Sequence, residues 1–257
     1  MTDKPLPSTP SFRLEGRRAL VTGGGRGIGH AASVALAEAG AHVTLCARTA
    51  SDVEHAAAAI RDRGFHADAL ALDVTDVDAF RKAIDNRAPY DVFVNNAGTN
   101  RPNPFLDVPV EDFDVVMNLN VRAAYFAAQS VARRMVESGT RGSIINMSSQ
   151  MGHVGGPNRT LYCASKWAME GFSKAMALDL ASHGIRVNTI CPTFIETPMT
   201  QPFLENEAFK QSVLAKIKLG RLGTVSDLMG AIVFLAGDAS SLMTGSSLVI
   251  DGGWTAE

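Results

Sequence analysis

The sequence has little of what marks a secreted, membrane-bound or nucleic-acid-binding protein. Cysteine occurs three times in 257 residues, as Cys46, Cys163 and Cys191, and the spacings contain no CxxC pair and no metal motif with histidine. We therefore expect no disulfide framework and no metal site, as in a protein of the reducing cytoplasm. The formal net charge of -2 comes without a basic cluster, which argues against nucleic acid or an anionic membrane as a partner.

Long apolar runs and internal repeats are also absent. No run of about 18 apolar residues predicts a transmembrane helix, and the opening MTDKPLPSTPSF lacks the apolar core of a signal peptide. We expect residues 1–12 to form a disordered arm and residues 13–257 a single domain, because no linker or repeat divides the chain. With 46% hydrophobic residues this stretch can bury one full core, and we expect its partner to be a small molecule.

Short apolar segments rich in β-branched residues alternate with longer amphipathic segments from Arg17 onward. This alternation is typical of βαβ units, so we predict an α/β fold with a doubly wound parallel sheet of seven strands and helices on both faces. The strands are expected at 19–22, 42–47, 67–73, 91–96, 143–148, 185–190 and 247–251.

The helices between these strands have recognisable ends. Glycine is expected just after the helix C-terminus at Gly40, Gly64 and Gly184. Thr224 with Asp227 three residues later resembles a capping box and predicts a helix start at 224. Long helices are expected at about 111–137 and 159–183. The segment 193–222 interrupts the alternation after the sixth strand and is predicted to be a lid over a site.

A glycine-rich turn, TGGGRGIG at 22–29, joins the first strand directly to an alanine-rich helix. Glycines permit the tight turn and let the backbone approach a pyrophosphate, which then lies at the positive end of the helix. The strand before and the helix after make a dinucleotide site the better interpretation than an ordinary turn.

The end of the second strand, Cys46-Ala47-Arg48, bears on the choice of dinucleotide. A carboxylate here would bind the adenosine ribose of NAD, and none is present. Arg48 and Arg26 can instead bind the 2′-phosphate of NADP. We therefore predict that NADP(H) is preferred and that NAD(H) is the alternative, which holds if Arg48 is only a solvated loop residue.

Three motifs together resemble the short-chain dehydrogenase/reductase family: TGGGRGIG, NNAG at 95–98, and Tyr162 followed four residues later by Lys166. The resemblance runs from about Leu14 to Trp254. It implies a Rossmann-type fold, hydride transfer between a nicotinamide and a carbonyl or secondary alcohol, a homotetramer, and chemistry without a metal. A non-catalytic dinucleotide sensor on the same fold would be expected to have lost the tyrosine or the lysine.

The resemblance also assigns site residues by position. The catalytic residues it implies are Asn120, Ser149, Tyr162 and Lys166. The cofactor-binding residues it implies are Gly23, Gly25, Arg26, Gly27, Ile28, Gly29, Arg48, Asp73, Val74, Asn96, Ala97, Gly98, Tyr162, Lys166, Pro192, Thr193, Ile195 and Thr197. Pro192-Thr193 stands where the family commonly has Pro-Gly.

The four catalytic candidates suit proton transfer. Tyr162 and Lys166 are four residues apart, so on a helix they share one face. We expect the ammonium to lower the pKa of the phenol and make Tyr162 a general acid in reduction and a general base in oxidation. Ser149 is expected to hydrogen-bond the substrate oxygen. Asn120 is expected to hold a water that relays protons to Lys166.

The turns expected to flank the nicotinamide are polar. Their candidate substrate residues are Asn100, Arg101, Gln150, His153 and Arg159. This set favours a hydroxylated or anionic substrate such as a sugar acid or polyol over a steroid or long acyl chain. A 3-oxoacyl thioester is the alternative substrate class. Each of these side chains, taken alone, is better explained as a solvated loop residue than as a ligand, and for His153 a structural role explains the residue as well as a functional one.

Overall fold

A computed structural model describes residues 6–256 of the chain, and its centre is one parallel sheet. The strands are β1 (Arg18–Thr22), β2 (His42–Ala47), β3 (Ala67–Ala71), β4 (Val92–Asn95), β5 (Ser143–Met147), β6 (Arg186–Pro192) and β7 (Ser247–Ile250). Their order is β3-β2-β1-β4-β5-β6-β7, which confirms the predicted doubly wound sheet. The order reverses between β1 and β4, where the connections diverge and leave a crevice at the carboxyl ends of the strands.

Helices cover both faces of the sheet. They are α1 (Gly27–Glu38), α2 (Ala50–Arg61), α3 (Val77–Asp85), α4 (Val110–Met117), α5 (Ala124–Ser138), α6 (Thr160–Leu180), α7 (Gln201–Leu204), α8 (Glu207–Leu214) and α9 (Ser226–Ala236). One apolar core joins α1, α2 and α9 to the sheet, and a second joins α3, α5 and α6 to the other face. Each face of the parallel sheet is therefore buried, as its nearly continuous apolar strands require.

The predicted glycine helix ends are confirmed, because Gly40, Gly64 and Gly184 all have φ between +71° and +107°. The predicted start at Thr224 is two residues early. Helix α9 begins at Ser226, although Asp227 does accept hydrogen bonds from the Thr224 backbone N–H at 2.7 Å and hydroxyl at 3.0 Å.

Two further boundaries differ from expectation for local reasons. The helix predicted over about 111–137 is interrupted by a π-helical segment, Asn118–Ala123, between α4 and α5. Strand β3 ends at Ala71 instead of residue 73, because the Asp73 carboxylate accepts hydrogen bonds from the backbone N–H and hydroxyl of Thr75 and turns the chain.

The lid segment and the N-terminal arm lie outside the sheet. Residues 193–222 contain α7 and α8 and form a small apolar cluster of their own around Val213, Ile217 and Leu222. Residues 6–13 have no helix or strand, and residues 1–5 of the predicted arm lie outside the described residues. The arm's disorder and the single-domain boundary at residue 13 stay predictions. Within residues 6–256, the helices are too short or too polar to cross a bilayer.

Candidate active site

A cavity of about 400 Å³ opens at the carboxyl ends of the strands, between the glycine-rich turn and the segment after β6. Every residue predicted to bind the cofactor lines it, as do Ser149, Tyr162 and Lys166 among the predicted catalytic residues. The predicted cofactor-binding set did not include several other lining residues, among them Thr49, Asp52, Thr99, Leu119, Pro198 and Met199.

The glycine-rich turn has no room for side chains on its inner side. A Cβ on Gly29 would lie 2.2 Å from the Gly23 carbonyl oxygen, so α1 approaches the end of β1 as closely as backbones allow. The Asn96 amide donates to the Thr22 carbonyl at 2.9 Å and ties the turn to β4. No side chain caps the N-terminus of α1. Its backbone N–H groups and dipole therefore fit a pyrophosphate.

Next to the glycine-rich turn, the cavity is lined by the end of β2 and the start of α2. Ala47, Arg48 and Thr49 line it, and the Arg48 side chain is 74% exposed with Nη1 3.9 Å from Asp73 Oδ2. Arg48 is thus free to turn toward a ligand, since an exposed pair at this distance contributes little. Asp52 also lines this part, and its position one turn into α2 is the signal that could have identified it.

Asn120 is fully buried within the π-helical segment. Its amide oxygen accepts from the Thr99 N–H at 2.8 Å, and its amide nitrogen donates to the Thr99 carbonyl at 2.8 Å and to Ser165 Oγ at 3.1 Å. The side chain therefore joins the loop after β4 to α6. The structure places it behind the cavity wall instead of on the surface of the cavity.

Ser149 follows β5 and points its hydroxyl into the site. The oxygen accepts from the Met151 N–H at 3.1 Å and the hydroxyl donates to Gln150 Oε1 at 2.9 Å. Gln150, predicted as a substrate residue, is buried and holds the Ser149 hydroxyl instead of lining the cavity. To donate to a substrate oxygen, Ser149 must exchange this partner.

Tyr162 and Lys166 lie one turn apart on α6, as predicted, with Lys166 Nζ 5.5 Å from the centre of the phenol ring. Nζ donates to the Met147 carbonyl at 2.8 Å. The expected lowering of the tyrosine pKa is wrong for this structure, because burial raises the pKa of Tyr162 to about 12 and the Ser149 hydroxyl only partly opposes it. Burial also lowers the pKa of Lys166 to about 8. Desolvation is the largest cause of both shifts.

One further turn along α6, the buried Glu170 lies at the centre of a polar cluster that the sequence reasoning missed. Its carboxylate accepts from Thr189 Oγ1 at 3.0 Å, Ser247 Oγ at 2.5 Å and Cys191 Sγ at 3.2 Å. Burial alone would raise the pKa of Glu170, but hydrogen bonding from the Ser148 hydroxyl, and then from Ser247, Cys191 and Thr189, outweighs it and lowers the pKa. The helical spacing from Tyr162 and Lys166 is the signal that could have indicated it.

His153 joins this cluster instead of the cavity. Its Nε2 atom lies 3.4 Å from Cys191 Sγ and 3.8 Å from Glu170 Oε2. A histidine, a glutamate and a cysteine thus converge, although no spacing in the sequence indicated it. Burial raises the pKa of the Cys191 thiol to about 12, so in the protein alone the thiol stays protonated and acts as a hydrogen-bond donor to Glu170.

The remaining predicted substrate residues differ in their surroundings. Asn100 has a buried amide oxygen without a partner among the described residues. Arg101 is 55% exposed and lies 3.9 Å from Asp112. Arg159 is only 6% exposed and stacks on Phe203 and Phe209 of the lid segment.

Comparison with known proteins agrees with this fold and site. A family model described as enoyl-(acyl carrier protein) reductase matches residues 23–255. The chain is 40% identical to D-erythrulose reductase of Gallus gallus, across 95% of this chain and 98% of the relative. It is 38% identical to gluconate 5-dehydrogenase of Gluconobacter oxydans (strain 621H), across 95% and 96%.

Solved structures give the same result. A crystal structure of a gluconate 5-dehydrogenase from Burkholderia cenocepacia J2315, in complex with NADP and tartrate, superposes with a TM-score of 0.92 at 37% identity and covers 96% of this chain and 98% of that one. A putative short-chain alcohol dehydrogenase from Sinorhizobium meliloti 1021 superposes with a TM-score of 0.92 at 42% identity, covering 96% and 100%.

The fold and the tyrosine–lysine pair beside a glycine-rich turn define a dinucleotide-dependent oxidoreductase. The chain belongs to the short-chain dehydrogenase/reductase family, and it is an NAD(P)-dependent enzyme that acts on alcohol or carbonyl groups.

The buried ammonium of Lys166 predicts a cost in stability. We expect Lys166→Met to raise the free energy of unfolding at pH 7 by roughly 1 to 3 kcal/mol, since it removes a buried charge. The pKa is about 8 in the folded chain and 10.5 in the unfolded chain, so the unfolded state binds more protons between these values. Wild-type stability then rises with pH, and the variant's advantage shrinks between pH 8 and 10.5.

Urea unfolding of both proteins at several pH values measures this difference, with Lys174→Met as the control, since Lys174 lies on the same helix and is exposed. An advantage for Lys166→Met that does not change with pH would contradict the lowered pKa.

Proposed function

We propose that the protein is an NADP(H)-dependent oxidoreductase that interconverts a carbonyl and a secondary alcohol on a polyhydroxylated substrate, a sugar acid or polyol, in the cytoplasm. The observation that supports the catalytic assignment is that Ser149, Tyr162 and Lys166 line the same cavity as the glycine-rich turn. The three free thiols of the chain fit a reducing compartment.

The dinucleotide supplies or accepts the hydride when it is bound. Tyr162 donates its phenolic proton to the carbonyl oxygen in reduction, and its raised pKa of about 12 keeps that proton in place at neutral pH. In oxidation Tyr162 must first lose its own proton, and the phenolate oxygen then removes the proton of the alcohol. Ser149 donates a hydrogen bond to the substrate oxygen, where negative charge develops, after releasing Gln150.

Lys166 and Asn120 assist the proton transfer at Tyr162. The Lys166 ammonium lies beside the phenol ring and stabilises the phenolate when the proton leaves. It also binds the nicotinamide ribose in this proposal, since it lines the cavity. Asn120 holds the loop after β4 against α6, and its proposed water leads to the Lys166 side chain.

The polar substrate is supported by the relatives. The proteins named above carry the names of a ketose reductase and a sugar-acid dehydrogenase. A 3-oxoacyl thioester stays the alternative, and a panel of sugar acids, polyols and acyl thioesters assayed with both dinucleotides decides between them.

Replacement of the tyrosine tests the mechanism. Tyr162→Phe removes one oxygen but keeps the ring and every other predicted cofactor-binding residue, so we expect turnover to fall by about 100-fold or more while dinucleotide affinity stays within about twofold. Steady-state kinetics and fluorescence titration with NADPH measure the two quantities. A variant that keeps half of the wild-type rate would exclude Tyr162 as the proton donor.

The preference for NADP(H) rests on the ribose end of the cavity. No carboxylate occupies position 47, and Arg48 and the exposed Arg26 both line the cavity. A guanidinium binds a phosphate dianion through two parallel hydrogen bonds. Thr49 lies at the uncapped N-terminus of α2, whose dipole adds to the attraction. The neighbouring structure named above holds NADP.

A double substitution tests cofactor choice. Ala47→Asp with Arg48→Leu should reverse the preference, because the new carboxylate binds a ribose hydroxyl and repels a 2′-phosphate. We expect the ratio of kcat/KM for NADPH to kcat/KM for NADH to fall by at least about 100-fold, because the variant loses one charged pair with the 2′-phosphate and gains a repulsion against it. A wild-type enzyme that is about tenfold better with NADH would show that Arg48 points to solvent.

We also propose a homotetramer. Tyr125, Val136, Trp167 and Leu178 leave apolar surface exposed on α5 and α6, and a groove of about 310 Å³ runs between these helices. Apolar surface of this kind is typical of a subunit interface.

Light scattering coupled to size exclusion tests the assembly, and we expect about four times the chain mass of 27.3 kDa at micromolar concentration. Trp167→Glu should shift the mass downward because it places a charge in the interface, while Lys174→Glu on the same helix serves as the matched charge control. A monomeric wild-type protein would contradict the proposal.

A further inference from the structure

Arg159 is a buried cation without an anionic partner. The residue is 6% exposed, and the single hydrogen bond of its guanidinium within the described chain is a long one, 3.4 Å from Nη1 to the Asn158 carbonyl. No carboxylate among the described residues forms an ion pair with it. A charge removed from water without a partner is costly, so such a group points to a ligand that supplies the opposite charge.

The position of Arg159 places this charge beside the reacting groups. It is the residue directly before α6 and lies three residues before Tyr162 in the chain. The positive charge of Arg159 acts on the phenol and opposes the rise in its pKa. Asn158 has φ of +57°, a left-handed conformation that asparagine tolerates, and it turns the chain into the helix at this point.

The lid segment holds the guanidinium in a fixed orientation. Its central carbon lies 5.3 Å from the ring centre of Phe203 in α7 and 5.7 Å from that of Phe209 in α8. Two aromatic faces attract the cation and exclude water from it, yet they leave its net charge uncompensated. No side chain caps the N-terminus of α6, so the helix dipole adds positive potential at the same place.

We propose that Arg159 is the binding residue for a carboxylate of the substrate, so that the enzyme acts on the anion of a hydroxy or keto acid in preference to a neutral polyol or ketose. This inference rests on the proposed function, since it assigns a binding residue to the carboxylate of the same substrate whose reacting oxygen contacts Tyr162. Arg101 is the weaker candidate, because it is exposed and already lies near Asp112.

A matched pair of substrates tests the proposal. 5-Keto-D-gluconate and L-sorbose differ in one group, a carboxylate in the first and a hydroxymethyl in the second. We expect wild-type kcat/KM with NADPH to favour the acid by about tenfold or more. Arg159→Gln should remove most of this preference through KM and change kcat/KM for L-sorbose by less than about threefold. Arg101→Gln should leave the preference intact.

Equal losses on both substrates in Arg159→Gln would overturn the proposal and make Arg159 a structural support of the lid. A wild-type enzyme that does not distinguish the acid from the ketose would overturn it as well. Arg159→Lys separates charge from shape, since it keeps the charge without the planar fork, and we expect it to retain part of the preference.

A binding measurement keeps this test separate from the proposed function. Calorimetric titration of the NADP complex with tartrate, a small dicarboxylate, should show binding to the wild type and to Arg101→Gln, and about tenfold or more weaker binding to Arg159→Gln. If the enzyme turns over neither 5-keto-D-gluconate nor L-sorbose but tartrate binds in this pattern, the anion site at Arg159 is supported and the proposed substrate class is wrong. If tartrate binds all three proteins equally or none of them, the anion site is wrong.

Discussion

The site depends on one constraint: helix α6 carries two ionisable side chains, Tyr162 and Lys166, to a place where burial opposes the charge of each. The pKa of the phenol rises to about 12 and that of the ammonium falls to about 8. Both shifts favour the uncharged form of the side chain, the phenol of Tyr162 and the amine of Lys166. The buried carboxylate of Glu170, one turn further on, acts in the opposite direction on Lys166 and favours its charged form.

The polar groups behind the cavity keep α6 in register with the sheet. Asn95 in β4 donates to Asn146 in β5 at 3.0 Å, and Asn146 donates to Ser173 in α6 at 2.8 Å. Asn120 makes the corresponding link from α6 to the loop after β4 through Ser165 and Thr99. Buried amides that lost one of these partners would carry a desolvation penalty, so the links specify one position of the helix.

The sequence predicted the sheet and the cofactor cavity well because both rest on local patterns. The alternation of apolar segments and the glycines at 40, 64 and 184 depend on neighbours in the chain. All proposed cofactor residues except Tyr162 and Lys166 lie at or just after the carboxyl end of a strand. What it missed depends on contacts between distant segments. His153 and Cys191 meet at Glu170 only after three elements have packed, and the pKa of Tyr162 depends on burial, which spacing does not report.

The same distinction explains why Arg101 and Arg159 look alike in the sequence and differ in the structure. Both are arginines in polar turns next to a strand or helix end. The Arg101 side chain is exposed to solvent, whereas the Arg159 side chain is buried against two rings of the lid segment. A charge on an exposed loop can exchange water for a ligand with little net gain, whereas a buried, oriented guanidinium has already met most of the cost of desolvation during folding. Preorganisation of this kind is what turns an arginine from a surface group into a determinant of substrate choice.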